Sequence, residues 1–288
     1  MSGFETVLVV DWSGGRDSGT RPRKDAIWAC LARREDTDAP VYLRNRALAE
    51  AWLAARIDAE LSEGRRVLAG FDFPFGYPSG FAAALTGRAD PLAVWDWVEQ
   101  GLSDGPEGSD RFDLAGRINA RLPGTGPFWG NGLKRDIPHL PRKGRARAGH
   151  GMAEWRQAER RTRGAFSCWQ LSGAGAVGSQ TLTGLPVLAR LRRRFGAAAW
   201  PFEPPEAPLA LVEVWPSLVA GAVRDLQAPE EIRDAAQVRV LAGALARLAP
   251  DRLAAMLAVD APEAAEEGWI LGLGAEAELE AAAREAGG

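Results

Sequence analysis

The chain has 288 residues, 46% of them apolar and 25% charged, and its net charge of −3 excludes a protein that coats nucleic acid along its whole surface while leaving room for a local basic groove. Its two cysteines, Cys30 and Cys168, stand in apolar or aromatic surroundings ("AIWACLA", "AFSCWQL"), which favours buried free thiols in a reducing compartment over a disulfide or a zinc site. The opening "MSGFETVLVV" lacks a basic leader region and no segment reaches the roughly 18 uncharged apolar residues of a membrane span, so a cytoplasmic protein without a membrane partner is expected.

Residues 5–11 ("ETVLVVD") read as a strand ending on Asp11. The polar, glycine-rich "WSGGRDSGTRPRK" connects it to a second strand, "DAIWACLAR", and "PVYLRN" is a third. In "RALAEAWLAARIDAELSEG" the apolar residues Leu48, Trp52, Leu53, Ile57 and Leu61 recur at helical spacing until Gly64. "RRVLAGFDF" follows as a strand, giving β-β-β-α-β with a helical crossover into the fourth strand. Residues 76–205 hold most of the tryptophans, both histidines and a dense basic stretch, with weak periodicity. "PLAVWDWVEQGL", "AEWRQAERRTR" and "LPVLARLRRRF" are the helices expected there. Regular structure resumes with the strand in "APLALVEVWPS", the helices "PEEIRDAAQVRVLAGALARL" and "PDRLAAMLAV", and a helical tail. The expected organisation is one α/β domain: a mixed-sheet core over about 1–75 and 207–272, a large helical and irregular insertion over about 76–205, and a tail over about 273–288.

Three apolar strands end on acids: Asp11, Asp72 and Glu213. Where such strands lie side by side the carboxylates must repel, share protons or bind a cation, and a hard divalent metal satisfies them most directly. Asp234 and Glu50, on helices, are further candidates, and Asp72 also has a plainer reading as a turn-capping aspartate in "GFDFPFGYP".

These residues, in "VVDWSG", "GFDFPFGYP", "VEVWPS", "RDAAQ" and "EEGWILG", resemble a large family of predicted RNase H-like nucleases first catalogued as a domain of unknown function. The resemblance implies an RNase H-like sheet with one acid on the first strand and one at the end of the fourth, matching Asp11 and Asp72, around divalent ions. It implies a metal-dependent phosphodiester hydrolase with Asp11 and Asp72 as catalytic residues, joined by Glu213 and Asp234 or, in place of one of them, Glu50. Asp11, Asp72 and Asp234 would hold Mg²⁺ or Mn²⁺, with Asp11 as the bridge of a two-metal site.

Other signals compete. Lys134, Arg135, Arg142, Lys143, Arg145, Arg147, Arg156, Arg160, Arg161 and Arg163 cluster against few acids, forming either a phosphate-binding patch or a solvated basic face. "PFWGNG" and Trp155 could stack bases. His139 and His150 lack metal-ligand spacing. Gly173, Gly175 and Gly178 fit GxGxxG, but the helix expected at the third glycine looks delayed by "SQTLTGLP", so a flexible loop is expected, with Ser179 and Thr181 as phosphate contacts. "DWSGGRDSGT", with Ser13, is similar to the phosphate loops of actin-like and sugar-kinase folds. Three functions therefore stand: the hydrolase, acting on nucleic acid or a phosphorylated small molecule; a nucleotide-using enzyme of the actin-like kind; and a binding module whose site has decayed.

Overall fold

The computed structural model describes residues 3–162 and 164–287; Arg163, one of the basic residues named above, lies outside them. In chain order the elements are β1 (Thr6–Asp11), β2 (Ile27–Arg33), β3 (Asp36–Thr37), β4 (Val41–Leu43), α1 (Arg46–Ser62), β5 (Val67–Phe71), α2 (Phe81–Thr86), α3 (Pro91–Gly101), β6 (Asp104–Gly105), β7 (Gly108–Ser109), α4 (Arg111–Asn119), α5 (Gln157–Arg160), α6 (Val177–Phe195), β8 (Ala198–Ala199), β9 (Leu209–Glu213), α7 (Ala220–Leu226), α8 (Arg233–Arg247), α9 (Pro250–Leu257), α10 (Ala264–Glu267) and α11 (Glu276–Gly287). They fall into two compact units, each described by itself.

The first unit comprises residues up to Asp72, Leu191–Asp260 and those from Ile270 onward. Its seven-stranded sheet has the order β3-β2-β1-β5-β9-β8, with β4 also paired to β2. The sheet is mixed. β1 pairs antiparallel with β2 (Asp11 opposite Trp28) and parallel with β5 (Val10 opposite Phe71), and β9 pairs parallel with both β5 and β8. β1, β2, β5 and β9 are apolar on both faces and buried, the pattern of strands covered on both sides. Asn45 caps α1 by accepting the Leu48 N–H at 2.9 Å, and Gly64, at φ +77°, follows its end. α8 packs on β1 and β2, and α11 packs on α8.

The second unit comprises Phe73–Arg190 and Ala261–Trp269. Its core is aromatic: Tyr77 stacks on Trp169 at 5.0 Å between ring centres, Phe128 meets Trp169 edge-on at 5.0 Å, and Phe75 meets Trp95 edge-on at 5.5 Å. The phenylalanines and tyrosine that follow Asp72 thus begin a second core. Gly76 allows close approach here, since a Cβ would stand 2.6 Å from the Glu267 carbonyl oxygen. Glu267, itself buried, accepts from Ser79 N–H (2.9 Å), Ser79 Oγ (2.8 Å) and Gln157 N–H (2.6 Å).

Several expected limits move. The single domain is two compact units; residues 191–205 join the sheet unit, and 261–269, expected in the core, pack in the second unit through Glu267. The tail expected at 273–288 contains α11, whose Leu279 and Ala283 are buried. Among the described residues, "AEWRQAERRTR" forms only the single turn α5: Glu159 caps its start by accepting the Arg156 N–H at 2.7 Å, and Arg161 and Thr162 N–H then close tighter turns onto the Ala158 and Glu159 carbonyls. α6 begins at Val177, well before the stretch that predicted it.

Candidate active site: paired carboxylates at the strand ends

Each strand of the parallel set β1, β5 and β9 hands on to the next by a backbone bond just past its end: Asp72 N–H donates to Val10 O (3.2 Å) and Val214 N–H to Phe71 O (2.9 Å). Val10, Phe71 and Glu213 therefore share one row, and Asp11, Asp72 and Val214 the next. Side chains alternate between faces along a strand, so Asp11 and Asp72 project together on one face. Their carboxyl groups are hydrogen-bonded to each other. Asp72 Oδ1 also accepts the Trp12 N–H at 2.6 Å, which fixes the acid of β5 to the backbone leaving β1.

Asp234, in the first turn of α8, reaches the same face, and its charge acts on both Asp11 and Asp72. Its Oδ2 accepts the Asp25 N–H at 2.7 Å. Asp25, held at φ +57°, is a fourth acid there: its charge acts on Asp11 and on Asp234. Sequence reasoning missed it by reading it as the first residue of the second strand, whereas β2 begins at Ile27 and Asp25 lies in the loop before it. The signal was the antiparallel register, because Asp11 faces Trp28 and the residues just before β2 must then lie beyond the end of β1.

Electrostatics follow from the crowding. Burial, then the Asp72 and Asp234 charges, push the Asp11 carboxyl well above the usual range. Burial raises Asp72 as well, against the opposing hydrogen bonds from Trp12 N–H and Asp11, and raises Asp234 against the Asp25 N–H. The pair therefore retains a proton where isolated carboxylates have lost theirs. Both residues still keep part of their surface open to solvent.

Glu213, expected beside them as a catalytic acid, is not brought to the pair. It lies in the row of Val10 and Phe71, so alternation sends it to the opposite face, while Val214 takes the place next to Asp72. The crowding of Val214 over Gly70 agrees: a Cβ on Gly70 would stand 2.7 Å from Val214 Cγ1. α1 lies on Glu213's face, because its buried Glu60 accepts from Thr6 Oγ1 at 2.6 Å and Thr6 alternates in phase with Val10.

Ser13 follows Trp12, but its hydroxyl is engaged in the loop: it donates to Asp25 O (3.0 Å) and accepts from Gly15 N–H (3.2 Å). The buried Arg46 donates to the Ser13 and Gly15 carbonyl oxygens and holds the same loop. The remaining expected contacts lie in the second unit. Arg135 pairs with Asp113 (2.6 Å) and Arg142 with Asp136 (2.8 Å), whereas Lys134 and Lys143 are exposed. Ser179 is closed in, donating to Leu171 O (2.6 Å) and accepting from Arg111 Nε (2.8 Å), and Thr181 donates to Val177 O. Gly173, Gly175 and Gly178 do lead directly into a helix, correcting the expected delay. Its first amides, on Val177, Gly178 and Ser179, already donate to the carbonyls of Gly175, Gln170 and Ala176, which closes that terminus to a phosphate.

Compared with models of known families, with curated proteins and with solved structures, the chain matches none. Among the described residues no three His, Cys, Asp or Glu side chains stand ready to hold a metal ion, and no helix is long and apolar enough to cross a membrane.

Proposed function

We propose that this chain is an RNase H-like, metal-dependent phosphodiester hydrolase in which Asp11 and Asp72 bind Mg²⁺ or Mn²⁺ and Asp234 completes the acidic face. The observation that carries the reading is the direct contact of Asp11 and Asp72 on adjacent parallel strands, with Asp234 acting on both from α8. The strand order β3-β2-β1-β5-β9, with β2 reversed, supports the fold that the resemblance implies. The donor set fits a hard cation: all oxygen, crowded enough to hold a proton in place of one, and partly open to solvent.

The chain's own residues prepare that site. Trp12 N–H orients Asp72, Arg46 and Ser13 fix the loop that supplies Trp12 and Asp25, and the Asp25 N–H holds Asp234. A divalent ion bound there supplies a Lewis acid that activates water and stabilises the leaving oxygen of a phosphodiester. Proton release from the Asp11 and Asp72 pair precedes binding, which makes the affinity rise with pH.

The test is thermal melting with EDTA, Mg²⁺, Mn²⁺ or ATP, alongside hydrolysis of bis-p-nitrophenyl phosphate. Stabilisation by Mn²⁺ and metal-dependent turnover, both lost in Asp72→Asn, are expected. A flat response to both metals would instead mark a decayed binding module. Stabilisation by ATP alone would favour the nucleotide-using enzyme, against which stands the internal engagement of the amides in its supposed phosphate loops: Gly15 to Ser13 Oγ and Gly19 to Asp17 Oδ1 (2.8 Å).

A further inference from the structure

Trp155 and Phe166 are two of the three large apolar side chains exposed among the described residues, at 36% and 49% of their surface. Both belong to the second unit. They come from two segments that run side by side in opposite directions, joined by Ser167 Oγ donating to Glu154 O (3.2 Å) and Trp169 Nε1 donating to Ala153 O (2.9 Å). Trp155 and Phe166 each stand one residue beyond that clasp on their segments. The Phe166 ring lies against Gly175 of the glycine-rich loop, where a Cβ would come within 2.0 Å of Cδ1; Gly175, at φ +77°, thus gives that ring its seat.

The surroundings are cationic. Arg160, exposed, donates to the Trp155 carbonyl (3.5 Å). Glu154, the acid beside Trp155, is paired with Arg147 at 2.8 Å, and the Arg147 guanidinium stands 5.5 Å from the Trp129 ring centre. Gly144 abuts that same ring, and its exposed flanking residues are Lys143 and Arg145. Two exposed aromatic side chains, Arg160 held to the Trp155 carbonyl, Lys143 and Arg145 exposed on the segment that meets Trp129, and the acid beside Trp155 neutralised by Arg147 complement a polyanion that offers free π-faces.

We propose that this face of the second unit binds single-stranded nucleic acid, with bases stacking on Trp155 and Phe166 and phosphates meeting Lys143, Arg145 and Arg160. A duplex hides its base faces and leaves the two rings without a role. The inference concerns binding by the second unit and does not rest on the metal reading.

The test uses the full chain in EDTA, so that binding is read without cleavage, titrated by fluorescence anisotropy with a labelled oligothymidylate of about 20 nucleotides, longer than a single-stranded site of about 4–16. The single strand should bind at least about tenfold more tightly than a duplex of equal length. Trp155→Ala and Phe166→Ala should each weaken binding about 5- to 150-fold, the equivalent of about 1–3 kcal/mol per stacked base, while Trp155→Phe keeps most of it. Lys143→Ala with Arg145→Ala should reduce the slope of log affinity against log salt by about 1.4, at about 0.7 per phosphate contact. Should an aromatic variant fail to fold, Lys143→Glu with Arg145→Glu, on exposed side chains, should still cost at least about tenfold. Equal affinity for duplex, no binding, or binding indifferent to both ring deletions overturns the proposal. So does a protein that ignores the oligonucleotide and sediments with phosphatidylserine vesicles through the same residues, since the rings would then enter a lipid surface.

Discussion

Asp72 Oδ1 accepts the Trp12 N–H at 2.6 Å, and this bond brings Asp11, the residue before Trp12, against Asp72. The acid at the end of β5 therefore has two functions in one group: it ties the exits of two strands together and it forms half of a proton-sharing pair. Asn keeps the first and removes the second. Asp72→Asn and Asp11→Asn should each abolish the Mn²⁺-induced rise in melting temperature while leaving the metal-free protein at pH 8 as stable as the wild type or more so. Asp72→Ala, which removes the acceptor for Trp12, should cost the metal-free protein about 1 kcal/mol. Differential scanning fluorimetry of the three variants separates these outcomes, and an unchanged Mn²⁺ shift in both Asn variants would leave Asp72 a purely structural acid.

The pH dependence has a definite sign. Both carboxyls are raised in the folded state, so the folded chain holds protons that the unfolded chain has released. The pair's stabilisation is fully present below the ordinary carboxylate value of about 3.9 and is lost as pH rises through the raised values. Metal-free melting should fall from pH 5 to pH 8, and the slope should flatten in Asp11→Asn. Saturating Mn²⁺ should reverse it, because the ion binds the deprotonated form.

Glu60 has the opposite sign. Burial works to raise its carboxyl, but hydrogen bonds from Arg65, Arg33 and Thr6 overcome this and bring it down to about 2. Its contribution is present above the usual carboxylate value and lost as pH falls toward 2. Glu60→Gln should destabilise the protein by roughly 1–3 kcal/mol at pH 7 and shrink the acid loss, as read from urea denaturation at several pH values.

Asp234 holds the amide of Asp25, so Asp234→Ala should speed hydrogen exchange at that amide and weaken the Mn²⁺ response together. Asp234→Asn retains the acceptor. It should preserve amide protection while still weakening the metal response, and a full metal response in this variant would assign Asp234 to loop support alone.

Gly76→Ala would place a methyl 2.6 Å from the Glu267 carbonyl oxygen, a backbone atom with little freedom to move. A loss of about 1–3 kcal/mol is expected, measured by chemical denaturation with tryptophan emission reporting on the second unit's aromatic core.

Much of the sheet was legible because β1, β2, β5 and β9 are uninterrupted apolar runs and α1 carries a clear helical stripe. The convergence of Asp11 and Asp72 was legible for the same reason: each acid terminates such a run. Glu213 misled because its strand looks alike, and only the register shows that it ends one residue earlier and faces the other way. Asp25 was hidden because "DAIWACLAR" read as strand from its first residue, while the strand begins two residues later. The early start of α6 was masked by Gly178, Gly184 and Pro186, which weaken helical propensity but sit where packing decides: a Cβ on Gly184 would meet the Phe73 ring at 2.2 Å. The basic stretch read as a patch or a solvated face, yet Arg135, Arg142, Arg147 and Arg156 each answer an acid, one of which, Asp113, lies outside the stretch.

The parallel pairing of β5 with β9 also has a consequence in time. On the ribosome, Phe71 leaves the exit tunnel long before Leu209 is made, and at about 5–20 residues per second the interval is on the order of ten seconds. Throughout it, the edge of β5 that β9 will occupy presents unpaired amides and carbonyls flanked by Val67, Leu68 and Phe71, a surface suited to joining a stray strand from another nascent chain. Chaperone demand during synthesis should accordingly peak before β9 emerges, and ribosome-bound chains halted at Arg190 should aggregate more readily than chains halted beyond Glu213.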